Sequence, residues 1–160
     1  ADAIRAARVA HHFIGVTKTG ACAIVATSGN DDCHIVLRGG RAPNYDAASV
    51  EATCSLLSAS ALTPNVMIDL SHANSSKQYE KQLEAGADVA RQVAGGDKRI
   101  VGVMAESHLK PGRQDLAPGK PLVYGQSITD ACIGWGDSMR LLELLADAVA
   151  QRRVAGNPRS

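Results

Sequence analysis

Long apolar runs are missing from this 160-residue sequence, which excludes a membrane-spanning helix. Aromatic residues make up only 3% of it, and no stripe of Lys and Arg interleaved with aromatics occurs. With a formal net charge of +1 the chain also lacks an electrostatic footprint for nucleic acid, so neither a membrane nor a nucleic acid is expected as a partner. The four cysteines, Cys22, Cys33, Cys54 and Cys132, form no C-x-x-C pair and no Cys/His spacing, which disfavours a zinc knuckle or a thioredoxin-like site. They read as reduced, mostly buried thiols of a cytoplasmic protein. No G-x-G-x-x-G and no G-x-x-x-x-G-K-S/T follows any strand-like run, which removes the strongest reasons for a dinucleotide or P-loop fold.

What is present is an ordinary globular composition, 45% hydrophobic and 21% charged, in a chain long enough for one domain with a buried core. The chain begins at Ala1, directly in Ala/Arg-rich helix-forming sequence, and is expected to be a piece of a longer polypeptide. Two alternating segments, Phe13 to Thr17 and Cys22 to Thr27, are joined by Lys18, Thr19, Gly20 and Ala21, a hairpin signal over residues 11–27. Strands are predicted at His34 to Arg38, Val66 to Leu70 and Ile100 to Ala105. A helix from about Asp46 to Leu62 has apolar positions Val50, Cys54, Leu57 and Ala61. A second, from about Ser76 to Ala94, opens on an S-x-x-Q capping box of Ser75 and Gln78 and closes at Gly95 and Gly96. Asp137 is predicted to cap a last helix, with Leu142, Leu145 and Val149 on one face, and residues 154–160 form a loose tail.

Apolar strands separated by helices imply a parallel α/β sheet with both faces covered. Without a nucleotide motif, a (β/α)8 barrel is the preferred architecture, and three strands supply only part of one. In such folds the C-terminal strand ends carry the chemistry. Here they deliver Arg38, followed by Gly39 and Gly40, then His72, then Glu106. The Pro/Gly-rich segment from Ser107 to Trp135, which holds Asp130, is long enough to fold back over that rim. A histidine with two carboxylates suits manganese, iron, cobalt or zinc, and an arginine suits a phosphate or carboxylate. Together they suggest a metal-assisted reaction on a phosphorylated acid. Each residue also has a plainer structural reading: a hydrogen-bonded histidine, surface carboxylates, an arginine paired with a helix acid. Asp69, inside its strand, either orients a neighbour or reacts, while Lys77 and Lys81 are read as solvated on a helix face.

The stretches Cys33-His34-Ile35-Val36-Leu37-Arg38-Gly39-Gly40, Asp69-Leu70-Ser71-His72-Ala73-Asn74-Ser75-Ser76-Lys77, Glu106-Ser107 and Tyr124-Gly125-Gln126-Ser127-Ile128-Thr129-Asp130-Ala131-Cys132 resemble the motifs of the class I 3-deoxy-D-arabino-heptulosonate 7-phosphate (DAHP) synthases. The resemblance runs over residues 1–153 and implies the TIM (β/α)8 barrel, of which this chain would supply the last three βα units plus the inserted hairpin. It implies metal-dependent condensation of phosphoenolpyruvate with D-erythrose 4-phosphate, releasing phosphate, as the first step of the shikimate pathway. By resemblance, His72, Glu106 and Asp130 are metal ligands, His72 and Asp130 are catalytic, and Arg38 grips the phosphoenolpyruvate phosphate. The ion would be Mn2+, Fe2+, Co2+ or Zn2+. The family's fourth ligand, a cysteine, lies in the N-terminal half with the remaining phosphate-binding residues, so this chain alone is expected to be inactive. Phe13, Gly15 and Val25 of the hairpin match the feedback-inhibitor pocket, and Gly15 matches tyrosine-sensitive members. A homo-oligomer is expected. The competing readings are a sister synthase acting on arabinose 5-phosphate, and an incomplete half-barrel that acts only by association.

Overall fold

The computed structural model describes residues 1–156. Helix α1 (Asp2–Arg8) leads into an antiparallel hairpin, β1 (His12–Val16) and β2 (Cys22–Ala26), with Phe13 opposite Val25 and Gly15 opposite Ala23. The hairpin forms a sheet of its own. Strands β3 (Ile35–Leu37), β4 (Val66–Asp69) and β5 (Ile100–Met104) form a second, parallel sheet in that spatial order. Helix α2 (Ala47–Ala59) connects β3 to β4, and α3 (Gln82–Ala94), preceded by a 3₁₀ turn at Tyr79–Lys81, connects β4 to β5. Helix α4 (Trp135–Ala155) closes the chain. Among the described residues no helix is long and apolar enough to cross a membrane.

The core is built from buried Val66, Ile68 and Leu70 of the central strand and its exit, Val50, Cys54 and Leu57 of α2, and Val89 and Val93 of α3. Their spacings are the strand and helix periods that drive these segments to fold against one another. Helices α3 and α4 approach closely at Gly86, where an added Cβ would collide with Leu141 Cδ1. Helix α2 is capped by Asp46, whose carboxylate accepts from the Ser49 amide at 3.0 Å. At its other end Leu62 N–H donates to Leu57 O and Ala61 N–H to Ser58 O, both at 3.0 Å, a Schellman closure. Ala61 holds the left-handed position with φ 56°, a conformation usually given to glycine, so it lies beyond the helix rather than on its apolar face.

Several expectations are corrected. Ser75 and Gln78 make no capping box: Ser75 Oγ donates to His72 O, Ser76 and Lys77 take left-handed φ values of 52° and 60°, and α3 begins only at Gln82. Lys77 therefore does not lie on a helix face. The sheet is covered on one face, not both. Val36 and Val101, beside buried Leu37 and Ile100, turn the other way by the pleat and are 39% and 51% exposed. Gly134, not Asp137, takes the N-cap position of α4. Asp137 instead pairs with Arg140 in the first turn, and Leu142 is exposed while Leu141 packs inside. Val154 and Ala155 extend α4 rather than starting the tail, and residues 157–160 lie outside the described residues.

Gln82, completely buried, is the polar residue in the apolar stripe of α3. Its Oε1 accepts from Glu106 N–H at 2.8 Å and its Nε2 donates to Glu106 O at 3.2 Å, so one side chain pairs the whole peptide edge at the exit of β5. Gln82→Leu should orphan the Glu106 amide and lower unfolding free energy by about 2 kcal/mol. Ala61→Gly should raise it by roughly 1 kcal/mol by relieving the left-handed alanine. Chemical denaturation of the two variants checks both, and equal midpoints for both and the parent would contradict them.

Candidate active site

The site lies where β3, β4 and β5 end. Strand β3 runs out at Leu37, and the next residues, Arg38, Gly39 and Gly40, form one wall of a cleft of about 420 Å³. Gly39 adopts φ 76°, and a Cβ there would sit 2.7 Å from Ala73 Cβ and 2.8 Å from the Asn74 amide. Glycine is thus required by conformation and by space. The turn is held by side-chain amides: Gly39 N–H donates to Asn44 Oδ1 at 2.7 Å, and Asn44 N–H to Asn74 Oδ1 at 2.8 Å. Asn74 in turn donates through Nδ2 to Leu37 O at 3.0 Å and Asp69 O at 2.7 Å, tying the ends of β3 and β4 together.

His72 follows β4 with φ 51°, an uncommon backbone state for a residue with a side chain. Lys77 N–H and Ser75 Oγ both donate to its carbonyl, at 2.9 and 3.2 Å. Its Nδ1 lies 2.8 Å from Asp69 Oδ2 and 2.8 Å from Ser71 Oγ, while its Nε2 faces Glu106 Oε1 at 3.7 Å. Burial pushes the Glu106 carboxyl above the usual range. His72 and Arg38 oppose that shift, and the carboxylates of Asp130 and Asp69 add to it.

Asp130 arrives from the long segment after β5. That segment folds back on itself: Ile133 N–H donates to Glu106 O at 2.9 Å and His108 N–H to Ile133 O at 3.0 Å. Gln114 pins its middle with bonds to Val123 and to the Gln126 carbonyl. Arg38, His72, Glu106 and Asp130 all line the one cleft, together with Lys77. Phe13, Gly15 and Val25 form a separate group on the hairpin, where a Cβ at Gly15 would stand 2.9 Å from Val25 Cγ2.

Among the described residues no group of three or more His, Cys, Asp and Glu side chains closes on a common point able to hold a metal ion. The donor chemistry nonetheless fits a divalent cation. An imidazole nitrogen and a carboxylate oxygen face each other beyond hydrogen-bond distance, the other ring nitrogen is engaged by a buried carboxylate, and a second carboxylate stands on the same cleft. Sequence reasoning missed Asn44, Asn74 and Gln82 as residues that position the site. A signal existed for Gln82, a polar residue at a core position of a helical stripe, and none for the two asparagines beyond ordinary turn composition.

The profile of the DAHP synthetase I family matches residues 1–143. The chain is 59% identical over 155 residues to a phospho-2-dehydro-3-deoxyheptonate aldolase of Haemophilus influenzae, covering 96% of this chain and 43% of the relative. It is 59% identical over 152 residues to the Phe-sensitive enzyme of that name from Escherichia coli, covering 95% and 43%. The Trp-sensitive enzyme from Enterobacter agglomerans is 48% identical over 151 residues, covering 94% and 43%. The solved structure of a phospho-2-dehydro-3-deoxyheptonate aldolase from Francisella tularensis superposes with a TM-score of 0.88 at 43% identity, over 94% of this chain and 44% of that one. The chain thus spans less than half the length of these relatives. Matched over most of its length by both profile and relatives, the chain belongs to the DAHP synthetase I family.

Proposed function

We propose that this chain forms one side of a DAHP synthase active site, at which phosphoenolpyruvate condenses with D-erythrose 4-phosphate and phosphate is released. The observation that carries this reading is the meeting of Arg38, His72, Glu106 and Asp130 on a single cleft. Arg38 offers the planar fork that binds a phosphate group through paired N–H donors, with Lys77 as a further cation on the same wall. His72, Glu106 and Asp130 would hold a Mn2+, Fe2+, Co2+ or Zn2+ ion, which when bound polarises the aldehyde carbonyl of the sugar phosphate. His72 and Asp130 are proposed as the catalytic side chains. The partly buried Glu106 carboxyl, held at its backbone by Gln82, keeps a fixed position opposite His72.

The three parallel strands are proposed as part of a (β/α)8 barrel. Their open edges and the uncovered face carrying Val36 and Val101 would then turn to the remaining strands. The hairpin is proposed to contact an aromatic amino acid inhibitor through Phe13, Gly15 and Val25, since relatives are named Phe-sensitive and Trp-sensitive. Its exposed Ile14, Val16 and Ile24 support self-association.

Thermal unfolding of the metal-stripped chain, with Mn2+ and phosphoenolpyruvate added separately and together, tests the site. At a hundredfold excess over Kd, stabilisation should reach about 2.7 kcal/mol, and the part due to Mn2+ should vanish in His72→Ala. A folded chain that shows no shift with either ligand would mean that the decisive ligands come from the part of the relatives' length that this chain does not cover. Substrate and inhibitor choice can be read in a chimera in which this chain replaces the matching stretch of the H. influenzae relative. Turnover of erythrose 4-phosphate is expected, and turnover of arabinose 5-phosphate alone would favour the sister reaction. In the same chimera Gly15→Ser should weaken inhibition by tyrosine relative to phenylalanine, because the added side chain crowds Val25. Unchanged inhibition by both would remove Gly15 from the pocket.

A further inference from the structure

Asp69 is 2% exposed and touches the cleft only through its neighbours. Its Oδ1 accepts from Ser71 N–H at 2.9 Å and from Ser71 Oγ at 2.6 Å. The single hydroxyl proton of Ser71 is therefore spent on Asp69, and Ser71 Oγ can only accept from His72 Nδ1, 2.8 Å away. Asp69 Oδ2, also 2.8 Å from Nδ1, is an acceptor as well. A ring nitrogen flanked by two acceptors at that distance must carry the hydrogen, since a bare lone pair there would face a carboxylate. In the neutral ring the other nitrogen, Nε2, then carries the lone pair, facing Glu106 Oε1 at 3.7 Å, too far for a direct hydrogen bond.

We infer that Asp69 is a positioning residue that locks His72 in its Nδ1–H tautomer and aims the Nε2 lone pair into the cleft, with Ser71 holding the Asp69 carboxylate in place. The inference rests on the metal-site reading for its consequence, because a buried carboxylate that never touches the cation then sets the affinity of the ligand that does. The backbone corroborates it: His72 takes φ 51°, so local strain is accepted to bring the ring to this place.

The test uses nitrogen-resolved NMR of the histidine rings in the metal-free chain at pH 8, alongside Mn2+ titration followed by electron paramagnetic resonance. The parent should show an Nδ1–H ring at His72. In Asp69→Asn the amide oxygen can keep the Ser71 contacts while the amide NH2 donates to Nδ1, so the ring hydrogen should move to Nε2. Mn2+ affinity should fall about 10–100-fold. Ser71→Ala retains the carboxylate and should keep the parent tautomer. An Nε2–H ring or a doubly protonated ring in the parent would overturn the inference. So would an Asp69→Asn protein whose ring and Mn2+ affinity match the parent's. If Asp69→Asn does not fold, the parent and Ser71→Ala spectra still decide, an Nε2–H ring in either overturning it. Failure of the parent to bind Mn2+ would instead count against a metal site held by this chain alone, with the ring spectra deciding the tautomer independently.

Discussion

Strand ends set the governing constraint in this molecule. Where β3, β4 and β5 stop, the strand ladder alone no longer pairs every peptide group, and unpaired buried peptide groups are costly. Side-chain amides meet that need. Asn74 takes the carbonyls of Leu37 and Asp69, and Gln82 takes both the amide and the carbonyl of Glu106. Each solution fixes the backbone beside a residue of the cleft. Satisfying the backbone and aligning the site are thus one operation, and a loose strand end would cost stability and geometry together.

This arrangement also explains where backbone strain is found. His72, Ser76 and Lys77 all take left-handed φ values within six residues, in the turn that follows the central strand. Such conformations persist only where surrounding bonds over-determine them. Here Lys77 N–H, Ser75 Oγ and Asn74 Nδ2 all close the turn onto β4 or onto His72 itself. The Ser75 to Gln78 spacing suggested a helix start at this point, but Ser75 Oγ is committed to the His72 carbonyl and α3 begins only at Gln82.

Local patterns made much of this legible in the sequence. The hairpin, the three strands and the α2 stripe of Val50, Cys54 and Leu57 follow from periods and turn residues, and the strand-end positions of Arg38, His72 and Glu106 follow from them. What local pattern could not convey was the choice between competing satisfactions of the same groups. Ser75 bonds back to His72 O instead of capping a helix, and Gly134 displaces Asp137 at the start of α4. The uncovered sheet face was illegible for another reason. Val36 and Val101 are as apolar as buried strand residues, so their sequence records that a face is meant to be covered without recording whether this chain covers it.

The order of strands along the sheet, β3 then β4 then β5, is also their order along the chain. Each new strand therefore docks on the one just made, through a single intervening helix, so no pairing in the sheet has to span more than one βα unit. For a chain emerging from the ribosome, Arg38 is in place before His72 exists, and His72 before Glu106. Asp130 comes last, carried by a segment whose return is anchored at Ile133 N–H on the Glu106 carbonyl. A nascent chain halted short of Ile133 would hold all three strands of the parallel sheet with Arg38, His72 and Glu106 at their ends, yet lack the anchor that brings Asp130 to them.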